Sequence, residues 1–292
     1  MAETTPHVSE PVLTAIVSTY NAERFMRRCL EDLEAQTIAD RMEILVIDSN
    51  SPQREGEIVR EFQERYSNIR YVRTAERETL YGAWNRGIAM ARGKYLTNAN
   101  TDDRHRRDAF ERMIEALERE PEAVLAYADA AVTLRESDTA DSFRPAVFLR
   151  WPEFDRRLLF QVNFVGSQPV WRRELHARYG LFDDAFVVSA DYEFWLRLAP
   201  HERFVHVREP VGVYLASPAS IEHRHPELTF DEAELARQRW WPAEWGERPR
   251  PRGFFLRPDF AYVLKRLVRG DVGPAAEVLA HARMLVHGRL HR

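Results

Sequence analysis

An α/β fold with a mostly parallel central sheet flanked by helices is what this sequence predicts, and three observations predict it. Short apolar runs alternate along the first 130 residues with stretches of helical periodicity. The runs at 13–18 and 43–47 are almost continuously apolar, as in strands buried on both faces. Connections of helical length between such strands are the right-handed crossovers of a parallel sheet.

Taken in order, Leu13, Ala15, Ile16 and Val17 belong to a first strand that Thr19, Tyr20 and Asn21 close with a polar turn. Met26, Cys29, Leu30 and Leu33 form the stripe of the helix that follows. The second strand, 43–47, stops at Asp48, Ser49, Asn50, Ser51 and Pro52, a cluster of turn formers. Ile58, Val59, Phe62 and Tyr66 mark the next helix, residues 69–72 the third strand, and Tyr81, Trp84, Ile88 and Ala91 the helix after it. Tyr95 and Leu96 suit a short fourth strand, whereas the polar run 98–103 belongs in solvent or at a ligand. A helix on Phe110, Met113, Ile114 and Leu117 leads to a strand at 124–129, then to mixed antiparallel pieces over 130–150. Ser189 or Asp191 opens a further helix, with Phe194, Trp195 and Leu198 on its apolar face. Trp240, Trp241 and Trp245 read first as cover for the core and second as an acceptor or partner surface. Two amphipathic helices, on Phe260, Val263, Leu264 and Leu267 and on Val278, Leu279, Ala282, Leu285 and Val286, end the chain.

At 292 residues with 45% apolar content the chain can bury a sizeable core. No apolar run approaches the ~20 residues that span a bilayer, and the first ten residues lack a secretory pattern, so a soluble, cytoplasmic protein is expected. Cys29 is the sole cysteine; a disulfide within the chain and a cysteine-cage zinc site are excluded, and buried filler is its expected role. The net charge of −4 argues against nucleic-acid binding. Ten basic against three acidic residues from Arg248 onward, however, leave 32 basic against 43 acidic before it, so the chain ends in a basic tail.

In parallel sheets ligands bind at the carboxyl ends of the strands, and those ends carry Thr19, Asp48 and the turn Asn100, Thr101, Asp102, Asp103. Adjacent Asp102 and Asp103 offer hard oxygens to Mg2+ or Mn2+, whose remaining shell comes from water and a diphosphate. Either can equally cap the next helix. Asp191 has the same two readings, chemical group or helix cap. A dinucleotide site is excluded by the absence of Gly-x-Gly-x-x-Gly after the first strand; a Walker phosphate loop, His-Glu-x-x-His and Gly-x-Ser-x-Gly are missing too.

Five segments, LTAIVSTYNA at 13–22, EILVIDSNS at 43–51, LYGAWNRG at 80–87, GKYLTNANTDD at 93–103 and ADYEFWLRL at 190–198, resemble in order and separation the family 2 inverting glycosyltransferases of the GT-A fold. The resemblance covers roughly 11–220. It implies a catalytic domain over 1–222, with a donor half at about 11–129 and an acceptor half at about 130–222, and a helical C-terminal extension over 223–292. Thr19, Tyr20 and Asp48 would surround base and ribose, Asn85 would lie on the helix behind the donor pocket, Asp102 would serve ribose and metal, and Asp103 the metal. Asp191 would be the catalytic base. The chain departs from the family pattern at Asn100 and Ser49, where Asp is usual, at Ala190, where Glu is usual, and near Ser217, where a metal-binding His is absent; His223 and His225 read first as surface histidines and second as its substitutes. The implied partners are a nucleotide-sugar donor, UDP-linked in the first instance, and a glycan, lipid-linked or small-molecule acceptor in polysaccharide biosynthesis, with Mg2+ or Mn2+ as cofactor. The basic terminal helices would either pack on the catalytic domain or rest on an anionic membrane face. Two alternatives are a nucleotidyltransferase, which wants a glycine-rich loop after the first strand that this chain lacks, and a degenerate nucleotide-sugar or glycan-binding module.

Overall fold

The computed structural model describes residues 10–142, 147–217 and 220–248. Nine strands form one sheet: β1 (Leu13–Thr19), β2 (Met42–Asp48), β3 (Ile69–Arg73), β4 (Tyr95–Asn98), β5 (Arg104–His105), β6 (Ala123–Thr133), β7 (Val147–Leu149), β8 (Val170–Arg172) and β9 (Arg203–Leu215). Their order is β3-β2-β1-β4-β8-β6-β9-β5, with β7 on β6. The first four strands are mutually parallel, linked by α1 (Glu23–Glu34), α2 (Glu55–Gln63) and α3 (Leu80–Met90). β8 then joins β4 and β6 antiparallel, and the long β6 and β9 pair parallel. The predicted mostly parallel sheet is therefore present, with short antiparallel pairings of β5, β7 and β8 joined to it in the second half.

Strand β1 shows why two helical layers are needed. Its side chains alternate across the pleat, so Ile16 enters one core with Trp84, Leu96, Trp171 and Trp195, while Ala15 and Val17 enter the other with Leu30, Val46 and Phe110. Helices α1, α2 and α4 (Ala109–Arg119) cover the second face; α3 and α7 (Ala190–Leu198) cover the first. Cys29 is fully buried and desolvation raises its thiol pKa, in keeping with filler. Two glycines permit close contacts that a side chain would block: a Cβ on Gly87 would lie 2.5 Å from Ile16 on β1, and one on Gly93 2.4 Å from the Thr14 nitrogen.

Helix α9 (Pro226–Trp240) lies beyond the boundary expected near 222, yet Ala233 and Ala236 are buried in the same core as α7. Trp240, Trp241 and Trp245 pack against that core, with Phe160 edge-on to the last two at 5.4–5.5 Å. The terminal helices expected after 260, and with them the membrane-contact expectation, fall outside the described residues. Among the described residues no helix is long and apolar enough to cross a membrane.

His176, on α6 (Leu175–Tyr179), holds three elements together. Its Nε2 accepts from the Trp171 indole at 2.9 Å, its Nδ1 lies 2.9 Å from the Gly180 carbonyl, and its ring stacks on Phe194. That pairing needs the neutral tautomer, and burial lowers the pKa to about 4 from the ordinary 6.5. The unfolded chain then binds more protons than the native one between those values, so stability should fall as pH drops from 6.5 to 4. Urea midpoints measured across this window should show a smaller pH slope for His176→Gln than for the parent chain.

Candidate active site at the carboxyl edge of the sheet

Registers put the strand ends together: Thr19 pairs with Asp48 across β1 and β2, and Ile16 with Asn98 across β1 and β4. Past those ends the backbone turns sharply, and Asn21 and Asn50 take positive φ of 55° and 56°, a region asparagine tolerates. The fully buried Glu55 knits the two turns. Its Oε1 accepts from Ala22 N–H at 2.7 Å, the Ser51 hydroxyl at 2.8 Å and the Thr19 hydroxyl at 3.4 Å. Asp48, also fully buried, accepts from Ser51 N–H at 2.7 Å on Oδ1, and from Tyr71 at 2.5 Å and Arg73 at 2.7 Å on Oδ2. Burial and the neighbouring Asp48 push the Tyr71 phenol up to about 12, which keeps it a donor. Tyr20 is half-buried under the Arg77 guanidinium, 4.1 Å from its ring centre.

Of the polar run 98–103, expected in solvent or at a ligand, Asn100, Thr101 and Asp102 are half-exposed. Asn98 and Asp103 are buried because neighbouring backbone supplies their partners. The Asn98 amide donates to the Ser167 carbonyl at 3.3 Å; Asp103 accepts from Leu215 N–H at 3.3 Å and from the Asn100 side-chain amide at 3.2 Å. Asn100, where the family pattern has Asp, thus donates to a neighbouring carboxylate. The capping alternative is overturned: β5 follows Asp103, and Asp108 stands at the N-cap of α4. Asp102 is half-exposed beside Asp103. His225 is exposed on the surface.

Asp191 reaches the same edge from the other half of the chain. Because α3 runs opposite to the strands, its first turn lies over their carboxyl ends; there the Trp84 indole donates to Ser18 at 3.2 Å and Tyr81 packs edge-on to Trp84 at 5.1 Å. The Tyr81 hydroxyl lies 2.6 Å from the Val188 carbonyl and 3.2 Å from Asp191 Oδ1. Burial first, then the Asp191 charge, raises the Tyr81 pKa well above the usual 10, so it remains protonated. Asp191 is not the helix cap: Ser189 is at the N-cap of α7 and Asp191 sits in its first turn. Ala190 is fully buried. Asn85 is tied to a backbone: its amide donates to the Phe182 carbonyl at 2.9 Å and accepts from Phe182 N–H at 3.0 Å, fastening α3 to the turn ahead of α7. A recess beside the turn after β4 is lined by Asp129, Ser167, Gln168 and Tyr214, without Asp102, Asp103 or Asp191. Glu55, Tyr71, Arg73 and Tyr81 are the functional-edge residues that sequence reasoning missed; each acts through a partner far off in sequence, which no local pattern signals.

The family model described as glycosyl transferase family 2 matches residues 14–166. The chain is 29% identical over 232 residues to an uncharacterized glycosyltransferase, EpsJ, of Bacillus subtilis, covering 76% of this chain and 66% of that protein. It is 28% identical over 203 residues to the O-antigen biosynthesis protein RfbC of Myxococcus xanthus, covering 69% and 16%. It spans less than two thirds of the length of these relatives. Among solved structures it is similar to S. aureus TarS 1-349 in complex with UDP-GlcNAc, with a TM-score of 0.61, 13% identity and coverage of 77% and 66%. Mannosyltransferase PcManGT from Pyrobaculum calidifontis, in complex with GDP-Man and Mn2+, gives a TM-score of 0.59 at 19% identity, covering 96% and 81%. At these identities the likeness is one of fold.

The knitting role of Glu55 predicts that Glu55→Ala, which strands two hydroxyls and one amide, lowers stability by about 1–3 kcal/mol in urea denaturation. A loss below ~0.5 kcal/mol would remove it from the structure of this edge.

Proposed function

The chain belongs to glycosyl transferase family 2, and from that premise we propose an inverting enzyme that moves a glycosyl group from a nucleotide-sugar donor to a hydroxyl of a glycan, lipid-linked or small-molecule acceptor. The observation that carries this reading is the chain of contacts from Asp191 through Tyr81 and Trp84 to Ser18, next to Thr19 at the end of β1, the strand that pairs with β2 and β4. The UDP, UDP-GlcNAc and GDP-Man held by structures of similar fold support a donor with a nucleoside diphosphate leaving group, UDP-linked in the first instance.

In this mechanism Thr19, Tyr20 and Asp48 receive the nucleoside, on two turns that Glu55 holds together. Asp48 is preset by its three donors, and Oδ1, with one bond accepted, retains a lone pair for a base N–H. Asp102 and Asp103 are the residues that would hold Mg2+ or Mn2+. Their hard oxygens fit such a cation, and the bonds from Leu215 N–H and Asn100 orient Asp103 as ligating carboxylates commonly are. When bound, the cation stabilises the developing charge on the departing diphosphate.

Asp191 takes the acceptor proton. An ordinary Asp carboxylate has a pKa of about 3.9, roughly ten units below an alcohol, so the proton moves late, as the new C–O bond forms and the bond to the diphosphate breaks on the opposite face. Tyr81 has one hydroxyl proton and two acceptors in reach, and the Val188 carbonyl is the nearer. Once Asp191 is protonated it can donate to the Tyr81 oxygen while Tyr81 donates to Val188, so all three groups are satisfied after the transfer. General-base assistance of this kind is worth about 10²- to 10⁴-fold.

Release of nucleoside diphosphate should be followed with UDP-sugars and GDP-mannose, with and without Mn2+, for the parent chain, Asp191→Asn and Asp103→Ala. Both variants should keep their fold and lose about 10²-fold or more in transfer. Near-normal turnover by both would reject the assignment, and uptake of the sugar nucleotide without any diphosphate release would favour the binding-module alternative.

A further inference from the structure

Helix α7 begins with a feature its own sequence does not explain. The first backbone N–H groups of a helix have no partner within it and are usually met by the side chain at the N-cap. Ser189 occupies that position and makes no such bond. Instead, the backbone that leads into the helix, up to the N–H of the N-cap residue itself, is held by the carboxylate of Glu232, buried on α9. Its Oε1 accepts from Val187 N–H at 2.7 Å, and its Oε2 accepts from Val188 N–H at 2.8 Å and Ser189 N–H at 2.9 Å. Three consecutive amides converge on one side chain 43 to 45 positions away. A negative charge at this end also complements the helix dipole.

The clamped segment is the one that fixes Asp191. Val188 donates its N–H to Glu232 and accepts on its carbonyl from the Tyr81 hydroxyl, which also lies against Asp191 Oδ1. Helix α9 grips the far side as well: Arg237 donates to the Tyr192 hydroxyl at 3.2 Å and the Trp240 indole to Glu193 at 2.6 Å. Asp191 is thus flanked before and after by residues bonded to α9, and bonded itself to α3.

We infer that Glu232 is a positioning residue for Asp191: from outside the region matched by the family, it sets the backbone on which the proton acceptor stands. The inference rests on the reading of Asp191 as that acceptor. Without Glu232, residues 187–189 can relax toward solvent, Tyr81 loses its fixed carbonyl partner, and the Asp191 carboxylate drifts from the acceptor hydroxyl. The nucleoside turns, built from β1 and β2, are untouched.

Glu232→Ala removes the clamp. Glu232→Gln keeps the shape, but its NH2 group faces an N–H, so it retains at most two of the three bonds. Glu234→Gln, on the same helix, is the control. Hydrogen exchange read by mass spectrometry over 187–189 should quicken by about tenfold or more in Glu232→Ala, less in Glu232→Gln and not in the control. Transfer from the donor that releases diphosphate should fall by about 10²-fold in kcat for Glu232→Ala, with Glu232→Gln between it and the parent and the melting shift induced by UDP unchanged. Unaltered exchange, or unaltered kcat in a variant whose exchange has quickened, overturns the inference. The base assignment is judged separately: an active Asp191→Asn sinks that reading, whereas an inactive Asp191→Asn beside fully active Glu232 variants sinks only this one.

Discussion

The parallel pairing of β1 with β2 and β4 is the constraint on which the rest of this molecule depends. Parallel strands present all their carboxyl ends at one edge, and the residues just past those ends have left the hydrogen-bonded ladder. Each polar group there needs a partner of its own. Here the partners are mostly protein: Glu55 for the turn after β1, Tyr71 and Arg73 for Asp48, Asn100 and Leu215 for Asp103. The edge is therefore rigid where the nucleoside contacts are proposed, and that preorganisation is what favours tight binding of a flexible, charged ligand.

The two halves of the chain meet through aromatic packing backed by part-buried polar bonds. Tyr81, Trp84 and Phe182 form edge-on and tilted contacts at 5.1–6.1 Å, and they join α3 of the parallel half to the turn ahead of α7. Asn85 adds two bonds to the Phe182 backbone in the same place. Rings with a quadrupole and a fixed amide pair specify one relative arrangement more strictly than aliphatic packing does. The proposed proton acceptor lies at this junction, so the precision of the chemistry is set by the joint between the halves.

Much of the fold was legible because its signals are local. The apolar runs of β1 and β2, the stripe Met26, Cys29, Leu30, Leu33 and the turn formers after Asp48 all carry their meaning within ten residues. The site was legible only as candidates, since Asp102, Asp103 and Asp191 each had a capping role open to them that local sequence does not exclude. What excludes capping, β5 intervening before α4 and Ser189 standing ahead of Asp191, depends on where elements begin. Glu55 and Glu232 were missed for one reason: the turns they hold lie 33 and 45 positions away, and a side chain's hydrogen bond to a distant turn leaves no periodicity behind.

Cys29 has a practical corollary. A thiol with no exposed surface and a raised pKa is a poor nucleophile toward maleimides and iodoacetamides, and the chain has no second one. Any cysteine introduced on the surface thereby becomes a unique attachment point. A fluorophore or spin label can be placed near the carboxyl edge of the sheet and its distance changes followed on adding ligand, with the native thiol left in place.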